Sequence, residues 1–591
     1  MAYEIDLLRD ELFDELGKTR LKESYMKEDE ESPQERFKFV CDFFSSNEEH
    51  AERLYNYASK HWLSFSTPIL SFKNEKRQLP ISCYLSYLDD SSEGLINCLA
   101  EVNWLSMMGG GVGIHVGIRE ADTKSVGVMP HLKVYDASTL AYRQGKTRRG
   151  SYATFLDISH PDIIQFLEMR KPTGDQNFRT LNLHHGINIP NTFMEKIENS
   201  MRDPDYDDSW NLISPANGDI VDTISARELW QRILEMRMQT GEPYIIFIDN
   251  ANAQLPNWLQ SKGLKINGSN LCTEIFLPTN SERTAVCCLS SLNLEHYDQW
   301  KDCPLFIRDA MEMLDNVLNY FIENAPDTIS RAKLSAFRER SVGLGALGLH
   351  AYFQKNMIPF ESVIAKLRNK DIFSLIKLKC AEADQYLCNE RGPCPDAQDY
   401  GEPRRFSHWT AIAPNASSSL IMGNTSPSIE PYRANVYRQD TLSGAHIYQN
   451  KFLKQQLAEL KLDTDEIWAS ITARDGSIQH IDEIPQEVKD VFKTATEIDQ
   501  RWIIDLASDR QVYIDQGQSV NLFFNADVNI KYLHSVHFLA WKKGMKSLYY
   551  CRSDKLRKAD KVGTRIQRKR LEDEVDMSAV ADGDVCVACE G

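Results

Sequence analysis

Asn270, Cys272 and Glu274, in the stretch Asn270-Leu-Cys-Thr-Glu274, set an amide, a thiol and a carboxyl at alternating positions. The stretch continues into Ile275-Phe-Leu277 and stops at Pro278, which predicts a short apolar strand closed by a residue that cannot continue a ladder. Alternate residues of a strand share a face, so the spacing predicts one candidate reaction surface carrying all three groups. The plainer alternative is a structural cysteine in a core strand, since free cysteine packs as a small hydrophobe.

A second pair of thiols, Cys586-Val-Ala-Cys589, stands two residues before the last one. As half of a zinc site it would need a second ligand pair, and no other C-x-x-C occurs in the chain. A dithiol that passes electrons fits better, because vicinal cysteines on a mobile carrier suit thiol–disulfide exchange. Cys586 lies 36 residues beyond Tyr550, a flexible reach of roughly 30–36 Å. Such a carrier implies an acceptor disulfide inside the globular part. The candidates are Cys83 and the adjacent Cys287 and Cys288, each in a strand-like segment. Spacing alone does not give the pairing.

The framework around these groups is of mixed helix and strand type. At 591 residues, 42% hydrophobic and 26% charged, the chain has ample material for a large core. No apolar run is long enough to cross a bilayer and the first residues are acidic where a signal peptide is basic, which predicts a cytoplasmic protein. A net charge of −17 argues against a nucleic-acid duplex as partner. Small anionic ligands need only local hydroxyls, arginines or helix N-termini. Thirteen scattered cysteines do not form a secreted disulfide framework.

Residues 1–65 read as a polar helical region, with a capping box at Ser32-Pro-Gln-Glu35 and apolar residues at helical spacing after it. From Thr67 short apolar stretches alternate with turns and helices, an α/β pattern that extends to about residue 552. Gly109 to Gly113 does not complete a G-x-G-x-x-G, and Leu140 stands where a P-loop ending at Gly145-Lys-Thr147 requires glycine, so neither nucleotide loop is expected. Lys171 to Asn182 is a polar loop, and residues 436–515 read as mostly helical. A helix over 526–543 stops at Gly544 and delivers the chain into Lys546-Ser-Leu-Tyr-Tyr-Cys551. Residues 553–591 are charged and poor in apolar side chains, which predicts a flexible tail.

Taken together, Thr67-Pro-Ile69, Ser82-Cys83, Asn270 to Glu274, Cys287-Cys-Leu-Ser-Ser-Leu-Asn-Leu294, Pro414-Asn-Ala-Ser-Ser-Ser419, Ile429-Glu-Pro431 and Leu548-Tyr-Tyr550 resemble the large, catalytic subunit family of class I ribonucleotide reductases. The motifs come in the family's order from about residue 66 onward. The resemblance implies a ten-stranded α/β barrel with a central finger loop carrying Cys272. It implies a thiyl radical at Cys272 that removes hydrogen from C3′ of a ribonucleotide, Glu274 as base on the 3′-hydroxyl, and Asn270 holding the substrate. It makes Cys83 and Cys287 the dithiol that ends as a disulfide, because the family's Cys-x-Leu-Ser start falls on Cys287. Cys586 and Cys589 would re-reduce that disulfide and be recharged by a thioredoxin or glutaredoxin.

Tyr549 and Tyr550 resemble the stacked pair that relays an oxidising equivalent from a separate metal-containing small subunit, with no metal in this chain. The substrate, a ribonucleoside diphosphate by resemblance, would rest its phosphates on Thr67, Ser82, Ala416, Ser417, Ser418 and Ser419. A dNTP or ATP effector with magnesium would bind at a homodimer interface, through Asp90, Arg119 and the loop residues Gln176 and Arg179. Some 65 residues before the first motif leave no room for an ATP-cone, so on/off control through a cone is not expected. Such a compact form would suit a virus, acting in the host cytoplasm. Two alternatives stay open: a cobalamin-dependent class II reductase, which needs no tyrosine relay, and an inactive nucleotide-binding relative. A general disulfide oxidoreductase would explain the tail but not Asn270, Glu274 or the tyrosines.

Overall fold

The computed structural model describes residues 3–75, 78–142, 150–441 and 444–553. Cys586, Cys589, the rest of the tail and Gly145 to Thr147 lie outside them.

Five strands, Cys83–Leu88, Gly111–Val116, Tyr152–Asp157, His184–Ile189 and Tyr244–Phe247, pair in parallel in that order. Parallel strands joined by crossover helices are covered on both faces, and these are almost continuously buried. A second half begins with Ala285–Asn293 and Val342–Leu347, also parallel. It continues through extended segments around Thr410 to Ile412 and Gln516 to Val520, joined by the parallel bridges Leu344 with Thr410 and Ile412 with Gln518. Tyr549 N–H then donates to Val520 C=O at 2.9 Å, bringing in Ser547–Leu548 as the last strand. The two halves meet antiparallel at both edges, Cys83 opposite Cys287 and Ser547 opposite Ile246. The sheet therefore closes into the α/β barrel that the resemblance implies, although two of its ten members are extended segments held by bridges, outside the nine-stranded continuous sheet.

The helices Ser92–Met107, Val128–Ala141, Ala226–Thr240, Phe306–Asn324 and Val363–Arg391 account for most of the crossover connections. In front of the barrel, Ser32 and Glu35 form the expected capping box of Pro33–Phe44, which packs on Glu48–Ser59 through Phe37, Val40, Phe44 and Leu54. Residues 436–515 differ from the expected run of helix. They open with a hairpin, Val436–Thr441 against Gly444–Gln449, before four helices take over. Tyr437 and Tyr448 face each other across it with ring centroids 5.3 Å apart, a cross-strand pair that outweighs the helical tendency of the polar residues around it.

The Asn270 stretch is not the predicted strand. It is a tight turn at the tip of a finger that enters the barrel, and Thr273 sits at φ +66°. Asn270 Oδ1 accepts the N–H groups of Glu274 and Ile275, both at 3.1 Å, a side-chain substitute for ladder bonds. The finger fits because Gly113 has no side chain: a Cβ there would stand 1.8 Å from the carbonyl oxygen of Ser269. On the opposite side Gly517 N–H donates to Glu274 C=O at 2.7 Å, and Ser547 Oγ donates to Thr273 C=O at 2.9 Å.

Candidate active site

Inside the barrel the finger brings together groups that are far apart in sequence. Asn270 Nδ2 lies 3.4 Å from Cys83 Sγ, and Cys83 Sγ lies 3.8 Å from Glu274 Oε1. Ser519 ties the finger together, donating to Cys272 C=O at 2.6 Å with its oxygen 3.3 Å from Glu274 Oε2. Asn270, Cys272 and Glu274 are all essentially inaccessible. Asn270 and Glu274 thus converge as expected, through the turn and not through strand alternation.

Cys83 and Cys287 are directly opposite residues of an antiparallel pair, a placement of about 4.5–5.5 Å between Cα atoms that lies in the range a disulfide spans. Both are free thiols and share the inner apolar cluster with Leu277, Leu289 and Ala411. Cys288 packs into the outer core instead. Gln516 holds this arrangement, its Nε2 3.4 Å from Cys287 Sγ and 3.3 Å from Ser341 Oγ, while its Oε1 accepts the Phe276 N–H at 3.2 Å. Burial pushes the Cys287 thiol up to about 12 and Cys83 well above its ordinary value, so both are kept as thiols. The same cause pushes Glu274 up to about 7 against the pull of its uncharged hydrogen-bond donors.

On the other side of the finger Tyr549 Oη lies 3.5 Å from Cys272 Sγ. Cys272 is disulfide-bonded in the structure. Tyr549 and Tyr550 have ring centroids 4.3 Å apart, and Tyr244 packs against both at 4.8 and 5.1 Å. These rings, Cys272 and Leu271 belong to one apolar cluster. Arg237 fixes the pair by donating to Tyr549 C=O at 3.0 Å.

The phosphate candidates gather along the strand Ala285–Asn293 that carries Cys287. Leu63–Phe65 and Cys83–Leu88 occupy one edge of Ala285–Asn293, leaving and returning on either side of residues 288 and 289, so Thr67 and Ser82 bracket one gap. Thr67 Oγ1 bonds Tyr25 Oη at 3.2 Å, and Ser82 Oγ is 3.4 Å from Cys83 Sγ. Asn415, 3.2 Å from Ser291 Oγ, opens the short helix Ala416–Ile421 in which Ser417, Ser418 and Ser419 are buried.

The effector candidates lie elsewhere, Asp90 and Arg119 just past the ends of the strands Cys83–Leu88 and Gly111–Val116. Asp90 and Arg119 pair with each other at 2.7 Å. Gln176 and Arg179 are on an exposed turn whose carbonyls receive Lys133 Nζ at 2.9 and 2.5 Å. Lys133 belongs to Val128–Ala141, whose His131 feels the charge of Asp90, so one helix connects the two groups.

Sequence reasoning missed Gln516, Ser519, Tyr244 and the cluster of Glu242 with His184 and His185. The available signals were a run of amides and hydroxyls, Gln516-Gly-Gln-Ser519, beside apolar residues, and a double histidine at the head of a strand.

The chain matches the model of the ribonucleotide reductase barrel domain over residues 81–404 and 397–551, and that of the ribonucleotide reductase all-alpha domain over 11–78. It therefore belongs to the ribonucleotide reductase large-subunit family. It is 49% identical to the ribonucleoside-diphosphate reductase large subunit of Invertebrate iridescent virus 3, over 94% of this chain and 96% of that one. With the large subunit of Arabidopsis thaliana it shares 31% identity over 84% of this chain and 70% of the relative. Among solved structures, the alpha subunit of the Actinobacillus ureae class Id ribonucleotide reductase superposes with a TM-score of 0.82 at 35% identity, covering 93% of this chain and 98% of that one. Among the described residues no helix is long and apolar enough to cross a membrane.

Proposed function

We propose that this chain reduces ribonucleoside diphosphates to 2′-deoxyribonucleotides for DNA synthesis by a thiyl-radical mechanism, as the large subunit of a two-subunit enzyme. The observation that carries the reading is the line Tyr550, Tyr549, Cys272, which ends beside a buried Cys83, Cys287, Glu274 and Asn270. An oxidising equivalent from the metal-containing small subunit passes along the two tyrosines to the Cys272 thiol, and turnover starts from the reduced form of that residue. The thiyl takes hydrogen from C3′ while ionised Glu274 accepts the 3′-hydroxyl proton. Cys83 and Cys287 supply two electrons and two protons as the 2′-hydroxyl leaves as water, and they close to a disulfide. Asn270 holds the substrate hydroxyls. Thr67, Ser82 and Ala416 to Ser419 receive the diphosphate through hydroxyls and backbone N–H groups.

Cys586 and Cys589 reopen the internal disulfide, with thioredoxin or glutaredoxin as the external reductant. The chain works as a homodimer, and a dNTP or ATP effector with magnesium binds near Asp90 and Arg119 and is read through Gln176 and Arg179. The small subunit docks on the face of Ile530–Lys542, the helix that leads into Tyr549 and Tyr550. An open, mostly apolar cavity of about 600 Å³ lined by Met201, Ile530, His534, Phe538 and Leu539 lies there.

The test is CDP reduction by the full chain with dithiothreitol, magnesium and an effector, with and without a cognate small subunit, and with adenosylcobalamin in a parallel reaction. Turnover only with the small subunit, lost in Cys272→Ser and Tyr550→Phe, is expected. Turnover with cobalamin alone would overturn the radical path.

A further inference from the structure

Thr67, one of the hydroxyls that would receive the diphosphate, is held from a part of the chain that the chemistry above does not use. Tyr25 Oη lies 3.2 Å from Thr67 Oγ1. Tyr25 is 3% exposed, and Thr67 opens the short helix Thr67–Leu70. Such a contact is not what every hydroxyl finds here, since the adjacent Ser66 Oγ is buried with no hydrogen-bond partner among the described residues. Tyr25 closes the helix Glu15–Ser24, its N–H donating to Leu21 C=O at 2.9 Å. At the start of that helix Asp14 Oδ1 accepts the Gly17 N–H at 2.7 Å, and a Cβ on Gly17 would stand 3.0 Å from the Leu420 carbonyl oxygen. One helix therefore rests on the backbone of Ala416–Ile421 at its first turn and reaches Thr67 at its end, touching both segments that the proposed function gives to the phosphates.

Ionised phosphate oxygens only accept hydrogen bonds, so Thr67 must turn its single O–H toward the ligand. Its oxygen then faces Tyr25 as an acceptor. A phenol with a pKa of about 10 is protonated at neutral pH and can donate to it. The two bonds run in one direction, from Tyr25 to Thr67 and from Thr67 to phosphate, and each polarises the next. We propose that Tyr25 is a positioning residue of the phosphate subsite, whose hydroxyl donates to Thr67 and so turns the Thr67 proton toward the substrate diphosphate. This rests on the role of Thr67 in the proposed function. Tyr25 packs in a different apolar cluster from Cys272, Tyr549 and Tyr550, so it acts on substrate affinity and not on radical transfer.

The experiment uses the full chain with its small subunit, dithiothreitol, magnesium and an effector. Tyr25→Phe keeps the ring and removes the donor. It is expected to raise KM for CDP roughly two- to tenfold, the worth of one hydrogen bond, with kcat unchanged. Cytidine, which has no phosphate, should keep its wild-type inhibition constant as a competitor of CDP, whereas a loss of packing would weaken both ligands alike. In a double-mutant cycle Thr67→Val is expected to raise KM, and Tyr25→Phe added to it to raise it no further. With KM raised in Thr67→Val, a wild-type KM in Tyr25→Phe, an equal loss for cytidine or additive effects in the cycle would overturn the proposal and leave Thr67 its phosphate role. A wild-type KM in Thr67→Val would instead overturn that role, and the proposal with it.

Discussion

Glu274 and Glu242 are two fully buried carboxyls on the two sides of the finger, and their surroundings drive them to opposite states. Glu274 meets uncharged donors, Asn270, Ser519, Cys83 and the backbone, and burial pushes it up to about 7. Glu242 meets Arg170 and two histidines, and it is held well below the ordinary range. Burial is the same, so the charge of the partners decides the protonation state. The inner site can thus release and take a proton near neutrality, as a general base must. The outer site keeps a fixed negative charge beside the tyrosines.

Neutralising each carboxyl in turn gives the largest expected effects, and they have opposite signs in stability. Glu274→Gln is expected to lower turnover by roughly 10²–10⁴-fold, the usual worth of a general base. It should also stabilise the fold at pH 8. A carboxyl raised from 4.5 to about 7 on folding carries a cost that is absent below pH 4.5, grows up to 7 and is full above it, about 3 kcal/mol at 1.36 kcal/mol per unit. Thermal unfolding should show a higher Tm for the variant at pH 8 and no gain at pH 4.5. Glu242→Gln leaves Arg170 without its buried counter-charge and should destabilise by about 3–5 kcal/mol at neutral pH. Equal Tm changes in the two variants would dissolve the contrast.

The finger that separates the two regions can be broken by a smaller change. Gly113→Ala places a Cβ 1.8 Å from the Ser269 carbonyl oxygen, which is backbone and cannot swing aside. About 1–3 kcal/mol of stability should go, together with tenfold or more of kcat as Cys272 and Glu274 shift. Gly268→Ala is the control, since its Cβ would meet Phe155 at an ordinary 3.4 Å. A Gly113→Ala enzyme with wild-type kcat would mean that the finger does not set the geometry of the site.

Much of the inner region was legible in the sequence and little of the outer one. Asn270, Cys272 and Glu274 carry side chains that invite chemistry, but the structure brings only Asn270 and Glu274 to one side, beside Cys83, and turns the Cys272 thiol toward Tyr549. Leu271, Ile275, Phe276 and Leu277 are apolar because the finger is enclosed by the barrel, and an enclosed turn carries the same apolar pattern as a buried strand. Choosing Cys287 over Cys288 required the family pattern, and the facing of the strand agrees with it. The contact of Glu242 with His184 was missed because it joins residues 58 apart in sequence: the double histidine marks one end of it and nothing beside Glu242 marks the other. Tyr549 and Tyr550 read as packing residues until the motifs around them were taken together.

The pH profile separates the two carboxyls most directly. If Glu274 is the base, it must be ionised to act, and its raised value means that activity is lost as pH falls through about 7. Below that point kcat/KM should fall about tenfold per pH unit. The measurement is a single turnover of the pre-reduced enzyme with no external reductant, so that recharging of the thiols does not enter the profile. Glu242 is ionised across the same window, so Glu242→Gln should lower the whole curve and leave its acid limb in place. A limb that moved with Glu242 would mean that the two carboxyls share one titration, and the separation of an inner proton-accepting site from an outer fixed charge would be lost.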